Sequence, residues 1–163
     1  MSERIGIYPG SFDPIHLGHV DLIERSRGLF DHIYVAVTTN EEKKPLFSVD
    51  ERVEMIEELL VDYPDCEVWS FSGLLVDFAK KVGGSTIVKG LRAVSDFEFE
   101  FQMALMNRRL NPDVETVFMM PKDDRTYVSS RLIKEVYKLG GDIEGLLPPS
   151  VHKRLVERQL GEQ

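Results

Sequence analysis

The sequence predicts one doubly wound α/β domain with a mostly parallel sheet of five strands. Two observations carry this prediction: five short apolar runs alternate with segments of helical periodicity, and glycines, prolines or polar loops separate the two kinds of segment. A chain of 163 residues with 42% hydrophobic and 29% charged residues suits a single domain with a proper core. We therefore expect one domain over residues 1–163, with residues 161–163 frayed.

The five strands are predicted where apolar residues run for a few positions between turn signals. They cover residues 5–8, 33–37, 67–71, 86–88 and 114–119. Nearly continuous apolar runs such as 33–37 are typical of strands buried on both faces. Because ligands of such sheets bind beyond the carboxyl ends of the strands, we expect the residues that follow each strand to meet at one edge.

Helices are predicted between the strands, and serines mark several of their starts. Ser48 with Glu51 and Ser95 with Glu98 have the spacing of capping boxes, and Ser129 and Ser150 are predicted N-caps of the last two helices.

The segment after Ser95 is ambiguous, because Phe97, Phe99 and Phe101 alternate with glutamates as in a strand. The capping box and the helical spacing of Phe97, Phe101 and Leu105 favour a helix with one apolar face, which leaves Phe99 on another face.

The stretch after the first strand predicts a phosphate site. Pro9 and Gly10 end the strand, and the helical periodicity that begins at Leu17 puts His16 and Gly18-His19 at the first turn of a helix. Unpaired amides and the dipole at such a terminus attract anions, and a glycine lets them approach closely. The segment matches neither a Walker loop nor Gly-x-Gly-x-x-Gly, which disfavours an ordinary kinase or dehydrogenase site.

Charge and cysteine content exclude several classes of protein. The formal net charge of -8 argues against sequence-independent nucleic-acid binding, which needs basic surface. Cys66 is the only cysteine, so no intrachain disulfide can form, and no apolar run near the N-terminus is long enough for a signal peptide or a membrane span. We expect a cytoplasmic protein without membrane or nucleic-acid partners.

Two pairs of residues have alternative interpretations. His16 and His19 lie three positions apart and could bind zinc, pack as a helix cap or contact phosphate; we favour phosphate because no further metal ligands are evident. Ser129 and Ser130 at a predicted helix start could be caps only, or caps that also contact a ligand.

Two motifs resemble the signatures of the adenylyl and cytidylyl nucleotidyltransferase superfamily. Gly10 to Pro14 with His16 to His19 matches the first signature, Gly-(Ser/Thr)-Phe-Asp-Pro followed by His-x-Gly-His. The segment 127–134 resembles the second, Ile-Ser-Ser-(Ser/Thr)-x-Ile-(Arg/Lys), which holds the triphosphate. Arg131 replaces the third hydroxyl of that pattern. The resemblance implies a Rossmann-like nucleotidyltransferase fold.

The central segment resembles one family within this superfamily, the bacterial-type phosphopantetheine adenylyltransferases. The similar residues are the run 89–93, the segment from Ser95 to Glu100, and Lys43-Lys44-Pro45, and the likeness extends over nearly the whole chain. The family usually has arginine where this chain has Lys89, which keeps the charge and loses the bidentate fork.

The resemblance implies a reaction and a set of site residues. Members transfer the adenylyl group of ATP to 4'-phosphopantetheine, giving 3'-dephospho-coenzyme A and pyrophosphate, with His19 as transition-state stabiliser. The implied ATP contacts are Ser11, Phe12, His19, Gly90, Leu91, Arg92, Glu100, Arg125, Thr126, Tyr127, Val128, Ser129, Ser130 and Arg131. The implied phosphopantetheine contacts are Ser11, Lys43, Leu75 and Lys89.

The same resemblance implies a homohexamer and coenzyme A as a feedback ligand. We expect Mg²⁺ to be carried by the ATP phosphates without a metal site in the protein, Asp13 to stabilise its turn, and direct in-line transfer without a covalent intermediate. The alternatives are transfer to nicotinamide mononucleotide, a glycerol-phosphate cytidylyltransferase, and a module that senses ATP without turnover.

Overall fold

A computed structural model describes residues 2–40, 44–92 and 94–161, and within them the predicted α/β fold is confirmed. The strands are β1 (Ile5–Gly10), β2 (His32–Thr38), β3 (Cys66–Phe71), β4 (Thr86–Gly90) and β5 (Glu115–Met119). The helices are α1 (Leu17–Ser26), α2 (Val49–Leu60), α3 (Leu75–Val82), α4 (Val94–Leu110), α5 (Ser130–Lys138) and α6 (Pro149–Gly161), with a 3-10 turn at Asp123–Arg125.

All pairings of the five-stranded sheet are parallel, and the strand order is β3-β2-β1-β4-β5. The chain therefore builds outward from β1 to β3 on one side and then returns to add β4 and β5 on the other. The order reverses between β1 and β4, where Gly6 lies opposite Thr86 and Ile7 opposite Ile87. A crevice at the carboxyl ends of these two strands is the expected ligand site of a doubly wound sheet.

Both faces of the sheet are covered, as the apolar runs predict. Alternate residues point to opposite faces, so Ile7 packs with Phe78 of α3 while the next residue, Tyr8, packs with the larger cluster on the other face. That larger cluster includes side chains of α1, α2, α5 and α6, among them Ile133 and Leu155. Most of the core therefore lies on the face that also supports the start of α5.

The structure confirms two of the predicted helix caps and corrects two others. Ser48 and Glu51 form the capping box of α2, and Ser129 caps α5. Ser95 lies inside α4, which begins at Val94, and α6 begins at Pro149, so Ser150 is not its cap. Proline has the backbone angle of a first helical residue and no amide to leave unpaired, which explains that start.

Gly161 is the last residue of α6, and residues 162–163 lie outside the described part of the chain, so the frayed terminus stays a prediction.

The segment after Ser95 is helical, as predicted, and belongs to α4. The apolar face predicted for it is not buried. Phe97, Phe101 and Leu105 are 46%, 47% and 47% exposed, and Phe99 is 63% exposed. The helix carries apolar residues around most of its circumference, and it turns Ala104 and Asn107 toward the rest of the chain. Among residues 2–40, 44–92 and 94–161, no helix combines the length and the apolar character needed to cross a bilayer.

Candidate active site

A cavity of about 570 Å³ opens at the carboxyl ends of β1 and β4, at the reversal of strand order. The starts of α1, α4 and α5 complete its walls. The predicted site residues that line it are Ser11, Phe12, His19, Lys89, Gly90, Arg92, Glu100, Arg125, Val128, Ser129, Ser130 and Arg131. The two signature segments, separated by more than a hundred residues, therefore share one cavity.

Four predicted residues do not line this cavity. Leu91, Thr126 and Tyr127 lie beside lining residues without contributing to the wall. Leu75 begins α3 and packs half-buried against the smaller core cluster. Lys43, the remaining predicted residue, lies outside the described residues.

The wall also contains residues that the sequence did not single out, notably Tyr8, Leu22, Asp96 and Pro121. The sequence could have indicated Asp96, because it follows Arg92 by four residues, the spacing of an ion pair. In the structure the two side chains form that pair at 3.3 Å. No sequence pattern could have indicated Tyr8 and Leu22, since an apolar run does not reveal which of its residues border a cavity.

His16 and His19 form a reciprocal capping box at the start of helix α1. The sequence favoured phosphate contact over this capping role. His16 Nδ1 accepts from the amides of Gly18 at 3.0 Å and His19 at 3.4 Å, and His19 Nδ1 accepts from the amide of His16 at 3.1 Å. The rings stack with centroids 3.6 Å apart. Gly18 is required here, because a Cβ atom would lie 2.8 Å from Cε1 of His16.

This cap changes the predicted anion site. The Leu17 amide donates to Leu146 O at 3.0 Å, Gly18 and His19 donate to His16, and the Val20 amide donates to His16 O at 3.1 Å. The prediction of unpaired amides at the start of α1 is therefore wrong, because the imidazole of His16 and the carbonyl of Leu146 occupy them. The start of α1 therefore offers the imidazole rings of His16 and His19 to the cavity instead of unpaired amides.

Both rings are neutral at physiological pH. Burial, with smaller contributions from Arg92 and Arg125, lowers the pKa of His16 to about 3. Burial also holds the pKa of His19 well below its usual value, helped by His16 and Arg92. A neutral ring has one N–H, and since Nδ1 accepts in both histidines, Nε2 carries the proton. His19, whose ring also packs on Phe12 at 4.9 Å, can thus donate a hydrogen bond from Nε2.

The start of α5 supplies amides and hydroxyls to the same cavity. Ser129 Oγ accepts from the Leu132 amide at 3.1 Å, which leaves its own hydroxyl proton available to a ligand. Ser130 Oγ donates to Pro14 O at 2.7 Å, so its proton is used to join α5 to the loop after β1. The amides of Ser130 and Arg131, at the first turn of α5, have no partner within the helix.

Two cations of the cavity are oriented by carboxylates. Lys89 Nζ lies 3.4 Å from Glu100 Oε2, and Arg92 pairs with Asp96 while it donates to Val128 O at 3.2 Å. These contacts hold the ammonium and the guanidinium at the wall before any ligand is present. Arg131 is exposed and borders both this cavity and a neighbouring one.

Asp13 was expected to stabilise its own turn, but the hydrogen bonds of its buried carboxylate lead to the segment before α2 and to helix α5. Its carboxylate accepts from the amides of Leu46 and Phe47, each at 2.8 Å, and pairs with Lys134 Nζ of α5 at 3.2 Å. Among the residues that the structure describes, no group of three or more His, Cys, Asp or Glu side chains could hold a metal ion.

Comparison with known proteins identifies the family. The model of the cytidylyltransferase-like family matches residues 7–136. The chain is 53% identical over 155 residues to the phosphopantetheine adenylyltransferase of Caldanaerobacter subterraneus subsp. tengcongensis, covering 95% of this chain and 97% of that one. It is 55% identical over 154 residues to that of Heliobacterium modesticaldum, covering 94% and 92% of the two chains.

A solved structure shares the fold at lower sequence identity. The protein from Vibrio parahaemolyticus, assigned as a nicotinate-nucleotide adenylyltransferase, superposes with a TM-score of 0.72 at 17% identity, over 95% of this chain and 99% of that one. Such a likeness supports the fold alone. The full-length relatives carry the assignment: the chain belongs to the phosphopantetheine adenylyltransferase family, within the cytidylyltransferase-like proteins.

Proposed function

We propose that this chain transfers the adenylyl group of ATP to 4'-phosphopantetheine and releases pyrophosphate, as a step of coenzyme A biosynthesis. The observation that carries the proposal is an identity of 53 to 55% over nearly the whole chain to enzymes of that name. The cavity supports it, because both superfamily signatures border one space at the reversal of strand order.

We assign two neighbouring sets of side chains to the substrates. ATP would lie against Ser11, Phe12, His19, Glu100 and the segment 90–92, with its phosphates at the segment 125–131. The phosphate of the acceptor would lie at Ser11, Lys43 and Lys89. Its long arm would leave the cavity toward Leu75 at the start of α3.

The reaction needs alignment and charge stabilisation more than proton transfer. A phosphate monoester, with a second pKa of about 6, is largely dianionic at neutral pH and attacks the α-phosphorus without a general base. The Nε2 proton of His19 would donate to the phosphoryl oxygen on which charge develops, and the amides of Ser130 and Arg131 would receive the leaving phosphates.

A covalent enzyme intermediate is not part of the proposal. Cys66 lies in β3, away from the cavity lining, and burial with nearby Asp65 raises the pKa of its thiol to about 11. A protonated, buried thiol is a poor nucleophile. Direct in-line transfer between the two substrates therefore fits the residues at hand.

The residues at the cavity fit a magnesium ion carried by the nucleotide. The carboxylates of Asp96 and Glu100 are paired with Arg92 and Lys89, and Mg²⁺ prefers substrate phosphates and water to an all-protein cage. When bound, the ion supplies positive charge to the triphosphate and its leaving group. Residues of α5 would then hold the phosphates from the protein side.

Pyrophosphate release tests the function and separates it from its alternatives. ATP and CTP are each assayed with phosphopantetheine, nicotinamide mononucleotide and glycerol 3-phosphate, and with no acceptor. We expect release with ATP and phosphopantetheine together. Turnover only with another acceptor would replace the proposal by the corresponding transferase, and ATP binding without turnover would indicate a sensing module.

We further infer a homo-oligomer, in agreement with the hexamer that the family resemblance implies. Helix α4 exposes apolar side chains that a monomer rarely leaves in water. They are Phe97, Phe99, Phe101, Met103, Leu105, Met106 and Leu110. Light scattering should give a multiple of the mass of 18.7 kDa, and Phe99→Glu should lower it; a monomer in both cases would exclude this assembly.

The cytoplasmic location and feedback by coenzyme A also remain proposals. Feedback is testable in the same pyrophosphate assay, where added coenzyme A should reduce the rate and compete with phosphopantetheine.

A further inference from the structure

Arg52, on the first turn of α2, is a charged side chain in the protein interior that belongs to neither signature. It is 1% exposed. A guanidinium is rarely buried so completely unless its donors are used, because removal of an unpaired charge from water is strongly unfavourable. The partners of Arg52 therefore indicate what its burial achieves.

The guanidinium joins the loop after β1 to the segment that precedes α2. Nη1 donates to Ser11 O at 2.7 Å, and Nε donates to Phe47 O at 3.1 Å and to Ser48 O at 3.2 Å. Ser11 lines the cavity, whereas Phe47 and Ser48 do not. Arg52 thus connects a wall residue to a segment outside the cavity.

Asp13, 5% exposed, fixes the same segment from its other side. It accepts the amides of Leu46 and Phe47 at 2.8 Å each, so the stretch 46–48 is bound at its amides by Asp13 and at its carbonyls by Arg52. This stretch follows Lys44 and Pro45 directly. The position of the lysine-bearing loop relative to Ser11 therefore depends on two buried charges.

The contacts divide between the two halves of the cavity. Lys134 joins Asp13 to α5, and Ser130 joins α5 to Pro14, so the phosphate-binding start of α5 is attached without Arg52. The three hydrogen bonds of Arg52 given above lead to Ser11 and to the loop before α2. Ser11 is assigned to both substrates, whereas Lys43, which directly precedes this loop in the sequence, is assigned to the acceptor alone. Loss of Arg52 should therefore disturb acceptor binding more than nucleotide binding.

We propose that Arg52 is a positioning residue for the phosphorylated acceptor: by binding Ser11 O and the carbonyls of Phe47 and Ser48, it fixes the loop 44–48 relative to Ser11 at the cavity wall. The inference rests on the proposed function. Because the acceptor contacts assigned above belong to Ser11 and to the lysine that precedes this loop, a side chain outside the cavity can control how tightly the acceptor binds.

Steady-state kinetics of Arg52→Lys test the proposal. One ammonium cannot reach carbonyls that a fork reaches from two nitrogens. We expect the KM for phosphopantetheine to rise about tenfold or more, while the Kd for ATP, measured by calorimetry without acceptor, changes less than about threefold. If Arg52→Lys does not fold, the same constants are measured on Arg52→Gln.

Two control variants distinguish positioning from general destabilisation. Arg27→Lys makes the same chemical change at a guanidinium that binds Asp65 at 2.8 Å outside the cavity lining. Val151→Ala, on the buried face of α6, lowers stability without altering a charge. Both should keep the KM for phosphopantetheine and the Kd for ATP of the unaltered chain.

The outcomes are distinct. A selective rise of the acceptor KM supports the proposal. Equal changes in both constants, a lower kcat with both constants unchanged, or behaviour like that of Val151→Ala would overturn it. Absence of pyrophosphate release by the unaltered chain would overturn the proposed function instead.

Discussion

Replacement of His16 by asparagine should make the protein less sensitive to mild acid. His16 is 3% exposed and its Nδ1 accepts two amides at the start of α1. Asparagine is among the best N-cap residues, so its side-chain oxygen can accept the same amides in the variant His16→Asn. The substitution retains the cap and removes the titration.

The expected magnitude follows from the two pKa values of His16. The imidazole titrates near 6.5 in the unfolded chain and at about 3 in the folded protein, where burial opposes the charge. Between these values the unfolded chain binds a proton that the folded protein does not, so folding stability rises with pH across this window. The stability that the neutral His16 contributes is fully present above pH 6.5. It is lost toward pH 3 at about 1.4 kcal/mol per pH unit.

Urea unfolding at pH 7.5 and pH 5 measures this contribution. The unaltered chain should lose about 2 kcal/mol more than His16→Asn between the two values, because about 1.5 units of the window lie above pH 5. His19 and the carboxylates titrate in both proteins, so the difference between the two curves reports on His16. Parallel curves would show that His16 is not held neutral in the folded state.

Three further substitutions test the assigned roles. His19→Ala should lower kcat about 10² to 10³-fold with little change in ATP binding, since Nε2 donates to charge that develops in the transition state; unchanged turnover in stopped assays would refute this role. Lys89→Arg should lower the KM for phosphopantetheine a few-fold by restoring a bidentate grip, and a KM that stays the same or rises in initial-rate measurements would contradict a direct phosphate contact. Ser129→Ala should cost about 1 kcal/mol of unfolding free energy through loss of the α5 cap, whereas urea curves superimposed on those of the unaltered chain would exclude that contribution.

The strands and most helix starts were predictable because they depend on local patterns. Short, largely apolar segments between turn signals identified the five strands, and serine followed by glutamate at the proper spacing identified the start of α2. The same local rule was wrong at Ser95 and Ser150, where α4 and α6 begin before the serine. A cap motif states which residues could begin a helix, while the packing of the helix decides which one does.

The exposure of the apolar side chains of α4 was not predictable from their periodicity. Helical spacing of Phe97, Phe101 and Leu105 indicates an apolar face, yet these side chains are about half exposed in the single chain. Periodicity does not state what covers an apolar face, whether the sheet of the same chain or another copy.

The chemical nature of the site was readable in the sequence, and its electrostatic state was not. Two short segments resemble the superfamily signatures and the segment 89–100 resembles one family within it, and these resemblances predicted the class of substrate. Only the tertiary structure decided that the order of strands reverses between β1 and β4, so that Lys89, Ser11 and Ser130 line one cavity.

The fold likewise decided that the rings of His16 and His19 accept hydrogen bonds from each other's amides and stay neutral. It also decided that Arg52 reaches Ser11 from a buried position. The physical reason is common to both cases. Local patterns reveal which residues can form a helix, a strand or a cap, whereas burial, pKa and hydrogen bonds between distant segments depend on which elements the complete fold brings into contact.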